Sequence, residues 1–253
     1  MDTFLDMSLT SIVWYAFVLF GASFVRGFSG FGFTAVLITG LTMIMPVERI
    51  VPLSIALELM ASLGLLFTIF RHVDWRKLGV LLATGILCTP LGVFVLSQVP
   101  DLALRSFVLF FVFGSSIYLI FSRRNQDAAS LRTYALAGAV IGLVNGATAL
   151  SGLALALFFS LIDENPVKMR ATMIAYLFLA DIWAGSILLG SGFYDRETIH
   201  LVLVSLPLLG LGVWLGSKQF GSIRPETFKR SVLWLLFILS GMGIFFAVSS
   251  QWT

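Results

Sequence analysis

Ten apolar segments follow one another along this chain with only short polar breaks, and that succession leaves few folds open. They run at 9–25, 29–45, 47–70, 77–97 and 102–121, then at 133–145, 149–162, 167–190, 197–217 and 231–250. At 1.5 Å rise per residue, several are long enough to cross a hydrocarbon core of about 30 Å. Lipid offers the backbone no hydrogen-bond partners, so such segments satisfy themselves as helices rather than strands. Only 11% of the residues are charged, against roughly 25% in soluble domains, and 58% are hydrophobic. The chain is therefore expected to be an all-α polytopic membrane protein, with 1–253 forming a single transmembrane domain.

The second half repeats the first at a spacing of about 120 positions. His72-Val73-Asp74-Trp75 and the later Leu91-Gly92-Val93-Phe94-Val95-Leu96-Ser97 are answered by Phe193-Tyr194-Asp195-Arg196 and Leu211-Gly212-Val213-Trp214-Leu215-Gly216-Ser217. Pro46-Val47 likewise meets Pro166-Val167. The repeats span about 9–121 and about 133–250, five segments each. The first two segments of each repeat are the shortest and are parted only by a Gly-rich break. They fit either two half-length helices forming a re-entrant hairpin or two full spans, and both return the chain to its starting side.

Basic residues cluster at Arg71/Arg76/Lys77, Arg123/Arg124/Arg132, Lys168/Arg170 and Lys218/Arg224/Lys229/Arg230. Placing the N- and C-termini outside puts all four clusters in the cytoplasm, as the positive-inside rule requires. Glu48/Arg49, Asp101/Arg105 and Asp195/Arg196/Glu197 then lie outside. With five segments per repeat, equivalent loops fall on opposite sides, which makes the repeats inverted. Inverted repeats of this kind frame a substrate site between two related bundles. The net charge of +3 needs no nucleic-acid partner, because the basic loops account for it. The N-terminus carries Asp2 and Asp6 before any basic residue, the reverse of a signal peptide's charged start.

The Gly-rich breaks hold the candidate site. The first reads Gly21-Ala22-Ser23-Phe24-Val25-Arg26-Gly27-Phe28-Ser29-Gly30-Phe31-Gly32-Phe33-Thr34, and the second Gly142-Leu143-Val144-Asn145-Gly146-Ala147-Thr148-Ala149-Leu150-Ser151-Gly152. Aligned, Arg26 meets Asn145, Gly27 meets Gly146, and Ser29 meets Thr148. A helix starting after each break offers unpaired N–H groups and the positive end of its dipole. Two such ends converging, with hydroxyls beside them, make an anion site. The candidate substrate-binding set is thus Arg26, Gly27, Ser29, Gly30, Asn145, Gly146, Thr148 and Ser151. The competing explanation is helix packing, since Gly138, Gly142 and Gly146 form a small-xxx-small row.

A Gly-rich stretch opening each half, followed by a Pro-started long helix, resembles the TauE/SafE sulfite-exporter family. The resemblance covers essentially the whole chain. It is most specific at Gly27–Gly32 with Pro46 and at Asn165-Pro166-Val167-Lys168-Met169-Arg170-Ala171. Where the family's breaks carry consecutive glycines, this chain has Phe31 and Leu150 interspersed. The resemblance implies export of a small sulfur-containing anion, sulfite or a short sulfonate such as sulfoacetate, through a bacterial inner membrane. The expected mode is a carrier working by alternating access, with a gated anion channel as the alternative that the residues by themselves do not separate from it.

Arg26 is either the cation that neutralises the substrate or a side chain snorkelling to the interface. Glu58 and Asp181 lie well inside the third and eighth segments, as coupling carboxylates or structural partners of a cation. Gly27-Phe28-Ser29-Gly30 also fits the G-x-S-G pattern of rhomboid-type intramembrane proteases, whose serine needs a histidine base. Only His72, in a loop, and His200, near the outer end of the ninth segment, are present to supply it. One cysteine and two distant histidines cannot build a tetrahedral metal shell, and no nucleotide-binding fingerprint appears, so no metal or cofactor is expected.

Overall fold

The computed structural model describes residues 8–69, 72–121, 130–162 and 166–219, with scattered positions between 233 and 244. Among the described residues the chain is helical and has no strand. The helices are α1 (Leu9–Ser29), α2 (Phe33–Leu41), α3 (Val47–Ile69), α4 (Trp75–Gln98), α5 (Asp101–Phe121), α6 (Leu131–Thr148), α7 (Ser151–Ser160), α8 (Pro166–Gly190) and α9 (Arg196–Gln219). The tenth segment lies largely outside the described residues, as do Asp2, Asp6, Arg71, Arg123, Arg124, Asn165, Arg224, Lys229 and Arg230.

Five of the described helices, α1, α4, α5, the part of α8 from Ala171, and α9, are long and apolar enough to cross a bilayer. The polarity of the molecule is turned outward-in. Phe17, Leu87, Phe94, Phe110, Leu136 and Leu203 are exposed, whereas Arg26, Glu58, Asn145 and Asp181 are buried. That distribution suits a hydrocarbon solvent, in which polar groups seek the interior.

Helix starts follow local chemistry. Ser8, Asp74, Ser130 and Asp195 cap α1, α4, α6 and α9, each accepting from a backbone N–H in the first turn. Pro90 lies inside α4 and cannot donate to the Ile86 carbonyl; the Trp183 indole of α8 takes up that carbonyl at 3.0 Å.

The opening pair of each half is neither two half-length helices nor two full spans. α1 has 21 residues and α6 has 18, whereas α2 has 9 and α7 has 10. The helical ladder runs on through Arg26-Gly27-Phe28-Ser29 and stops only where Gly30 turns left-handed at φ 79°. α2 then folds back along α1, with Trp14 Nε1 donating to the Gly40 carbonyl at 2.9 Å.

The strongest packing pairs are α4 with α6 and α1 with α9, so the fourth helix of each half lies on the first helix of the other. Glycines make both contacts close. A side chain at Gly138, Gly142 or Gly146 would strike the α4 backbone at Leu81, Gly85 or Thr89; one at Gly27 or Gly216 would strike Val213 or Phe24. The small-residue row is therefore a packing device.

Contacts between helix ends sort the elements. Asp101 accepts from Val47 N at 2.7 Å, and Arg49 pairs with Glu197 at 3.3 Å, which gathers the starts of α3, α5 and α9. Asp74 N donates to Thr172 Oγ1 at 3.3 Å, and Lys77 Nζ sits 5.5 Å from the Tyr134 ring centre, which gathers the starts of α4, α6 and α8.

Candidate functional site

The first break is tied together by Arg26. Its side chain is fully buried, with Nη1 3.0 Å from Glu58 Oε1. Nη1 also donates to the Gly30 carbonyl at 2.7 Å, and Nη2 donates to Ser62 Oγ at 2.6 Å. Thr34 Oγ1 donates to the other Glu58 oxygen. One ion pair thus joins α1, the break, α2 and α3. A buried guanidinium in an apolar bundle needs this, because an unpaired charge there is costly to desolvate. Arg26 does not snorkel. Its charge is met by Glu58, and only Nε lacks a partner.

The second break repeats the Gly30 turn of the first without its charges, but Leu150 at φ −84° stands before α7 where the left-handed Gly32 stands before α2. Ala149 adopts φ 57°, at the position matching Gly30, and its N–H returns to Asn145 O at 2.8 Å. Gly30 N–H returns to Arg26 O at the same 2.8 Å. Thr148 Oγ1 donates to Val144 O at 2.9 Å, as Ser29 Oγ donates to Val25 O at 2.7 Å. These two hydroxyls are engaged by their own helices. Left-handed backbone at a non-glycine residue is strained, and such strain gathers at ligand sites.

The polar groups without partners lie mostly in the second half. Both side-chain atoms of Asn145, the Ser151 hydroxyl, both oxygens of Asp181 and the Tyr176 hydroxyl are buried and make no hydrogen bond. Asp181 sits beside Asn145, though not in hydrogen-bonding geometry, and within electrostatic reach of Glu58 and Arg26. Asp181 also acts on Tyr194, which lies beyond the end of α8. Burial first, and Asp181 second, push that phenol up; its hydroxyl donates to Pro52 O at 3.0 Å. Native proteins leave few buried polar groups unsatisfied, so a cluster of them marks a site.

The two breaks meet in space. A Cβ placed on Gly152, at the start of α7, would lie 3.6 Å from Gly32 N, just before α2. Unlike α1, α4, α6 and α9, neither α2 nor α7 has a side chain capping its N-terminus. Phe33, Thr34 and Ala35 in the first turn of α2 are buried, as are Ser151, Gly152 and Leu153 in that of α7. Two buried, uncapped helix starts lie against each other, and their free N–H groups and dipoles favour an anion.

Of the residues singled out from sequence, Arg26, Gly30, Asn145 and Ser151 gather around this junction, whereas Gly27 and Gly146 face the neighbouring helices α9 and α4. Sequence reasoning missed Thr34, Ser62, Tyr176 and Tyr194. Ser62 was open to detection, since it follows Glu58 by one helical turn. His72 and His200 are exposed, and Ser29 Oγ donates to Val25 O and Phe31 O rather than to a base. Among the described residues no cluster of three or more His, Cys, Asp or Glu could hold a metal. A crevice lined by Glu48, Pro90, Val93, Ser97, Ile187 and Phe193 opens near the start of α3 and contains none of the unpartnered groups.

Residues 15–242 match the family model for the sulfite exporter TauE/SafE. The chain belongs to the TauE/SafE family. It is a multi-pass membrane protein of a transporter family, as the helices above require. A relative from Comamonas testosteroni, described as a probable inner membrane transporter protein TsaS, is 27% identical over 185 residues. That alignment covers 69% of this chain and 74% of the relative. No solved structure matches the chain.

Proposed function

We propose that this TauE/SafE protein exports a small sulfur oxyanion, sulfite or a short organosulfonate such as sulfoacetate, across a bacterial inner membrane. The observation that carries this reading is the pair of buried, uncapped N-termini of α2 and α7 at the meeting of the two breaks. Backbone N–H groups of both half-helices, the Asn145 amide and the Ser151 hydroxyl are the donors assigned to the oxyanion. Arg26, its charge met by Glu58, holds the first break in shape through the Gly30 carbonyl. The sulfur in the assignment rests on the family's description alone.

The mechanism assigned is alternating access between two inverted repeats. The exchange of packing partners between α1/α9 and α6/α4 supports this, as does the grouping of the α3 and α5 starts opposite those of α6 and α8. The N-terminus is placed outside, with the start of α4 and its Arg76 and Lys77 in the cytoplasm. An interior-negative potential favours outward movement of an anion by about 2.3 kcal/mol per charge per 100 mV.

Uptake by proteoliposomes under a set potential tests the reading, with sulfite, sulfoacetate, taurine, sulfate and chloride compared. Saturable flux of sulfite or sulfoacetate is expected. Ser151→Ala should raise the half-saturating concentration about fivefold, the loss of one hydrogen bond of about 1 kcal/mol. Fast, unsaturated chloride flux would instead identify a channel.

A further inference from the structure

We infer that Asp181 is a proton-carrying site, so that one proton crosses the membrane with each anion. The inference rests on the anion-carrier reading above and adds a co-substrate to it. Asp181 lies in α8 and is 1% exposed, with neither oxygen hydrogen-bonded. The charged and titratable groups around it are Glu58 on α3, Arg26 on α1, Tyr176 five residues earlier on α8, and Tyr194 beyond the helix end. Cys88 on α4 lies near Tyr176, and Asn145 on α6 is the neutral neighbour.

The charge balance of this group decides the matter. Glu58 holds Arg26 directly at 3.0 Å, so one buried cation faces two carboxylates and Asp181 is the one left over. Ionised and without a hydrogen bond, it would be a bare buried charge, which proteins avoid by neutralising the group. An anion seated between the breaks adds a second negative charge to the same neighbourhood. A like charge nearby favours the protonated carboxyl, so anion and proton bind together, and by linkage each strengthens the other. The proton enters from water on the loading side, resides on an Asp181 oxygen during the crossing, and leaves to water as the anion departs. No further reactant is required. A dianion accompanied by one proton still carries one negative charge outward and keeps the help of the potential. A monoanion would move without net charge.

The experiment uses the full-length protein in liposomes containing a trapped pH dye, with sulfoacetate as the probe. Its acid groups are ionised at neutral pH, so it brings no proton of its own. An inward sulfoacetate gradient should acidify the lumen by one proton per labelled anion entering, above the leak of protein-free vesicles. In Asp181→Asn, which cannot ionise, any remaining anion flux should run without acidification and lose its dependence on external pH. If that variant does not fold, the proton-to-anion ratio of the unaltered protein decides alone. Saturable sulfoacetate flux without acidification, flux that requires sodium instead, or acidification that survives in Asp181→Asn would each overturn the inference while leaving the carrier standing. Absence of both sulfoacetate and sulfite flux would overturn the carrier reading, and this inference with it.

Discussion

Removing the Glu58 carboxylate while leaving Arg26 in place should be among the most damaging single changes to this fold. The two groups lie 3.0 Å apart and are both buried. At an effective dielectric of about 20, unit charges at that distance attract by about 5.5 kcal/mol, before the cost of desolvating them. Replacing one partner forfeits the attraction while the desolvation of the other remains. Glu58→Gln should therefore lose about 3–5 kcal/mol, the range for breaking a buried pair. The Gln can still accept from Thr34, so the loss reports charge rather than a missing bond. Removing both charges should recover much of it, because a neutral pair leaves nothing uncompensated. Equilibrium unfolding in mixed detergent micelles of increasing denaturing-detergent fraction measures all three variants. Arg26→Gln/Glu58→Gln should cost at least about 2 kcal/mol less than the two single changes summed, the hallmark of direct coupling. A Glu58→Gln loss below about 1 kcal/mol would refute the reasoning, as would additivity of the two changes.

Three further changes test other parts of the structure. Gly142→Leu would drive a side chain into the α4 backbone at Gly85, and should lower stability in the same unfolding assay by at least about 1–3 kcal/mol. Ala149→Gly should raise it by up to about 1 kcal/mol, because glycine adopts φ 57° without the steric penalty of a Cβ. Asp195 caps α9 by accepting from Thr198 N at 2.7 Å, and these hydrogen bonds hold its carboxyl below the usual range. Its contribution is thus present above the unfolded carboxyl value of about 3.9 and is lost as pH falls through the lower folded value. Asp195→Ala should cost about 0.5–1 kcal/mol at pH 7, and the difference from the unaltered protein should shrink towards zero in acid.

Much of the architecture is legible in the sequence because membrane segments advertise themselves by length and apolarity. The breaks at Gly30–Gly32 and Ala149–Leu150 are legible for the same reason, since a helix in lipid ends only where backbone chemistry compels it. Helix lengths around the breaks are not. The run Arg26–Ser29 looks like a break by composition, yet it stays helical because Gly27 fits against Val213 of α9, a contact nearly two hundred residues away in sequence. The role of Arg26 is hidden in the same way. A lone cation in the opening break and an acid well inside the third segment suggest a pair, but only the fold shows that the pair is closed by Ser62 and Thr34. The missing caps of α2 and α7 are invisible from sequence, because a cap is defined by a hydrogen bond rather than by a residue type.

The two halves use one left-handed turn to opposite ends. At matched positions both breaks turn left-handed and return an N–H at 2.8 Å to the residue four before it, Arg26 in one half and Asn145 in the other. In the first half that residue is almost wholly satisfied, with Glu58, Gly30 and Ser62 around it. In the second half the Asn145 amide and the Asp181 carboxyl lie side by side outside hydrogen-bonding geometry, and the Ser151 hydroxyl has no partner. Each unsatisfied buried group costs about 1–3 kcal/mol, so together they are a substantial load on a protein whose net stability is about 5–15 kcal/mol. The fold does not impose that load, because the first half shows the same turn built with its polar groups met. Leucine at positions 145 and 181 would remove most of it and leave an apolar bundle intact. Retaining an amide, a hydroxyl and a carboxyl there is reasonable only if something polar arrives to use them. On that ground the Arg26–Glu58 pair of the first half braces the proposed site, and the unpartnered groups of the second half join the α2 and α7 starts as its working surface.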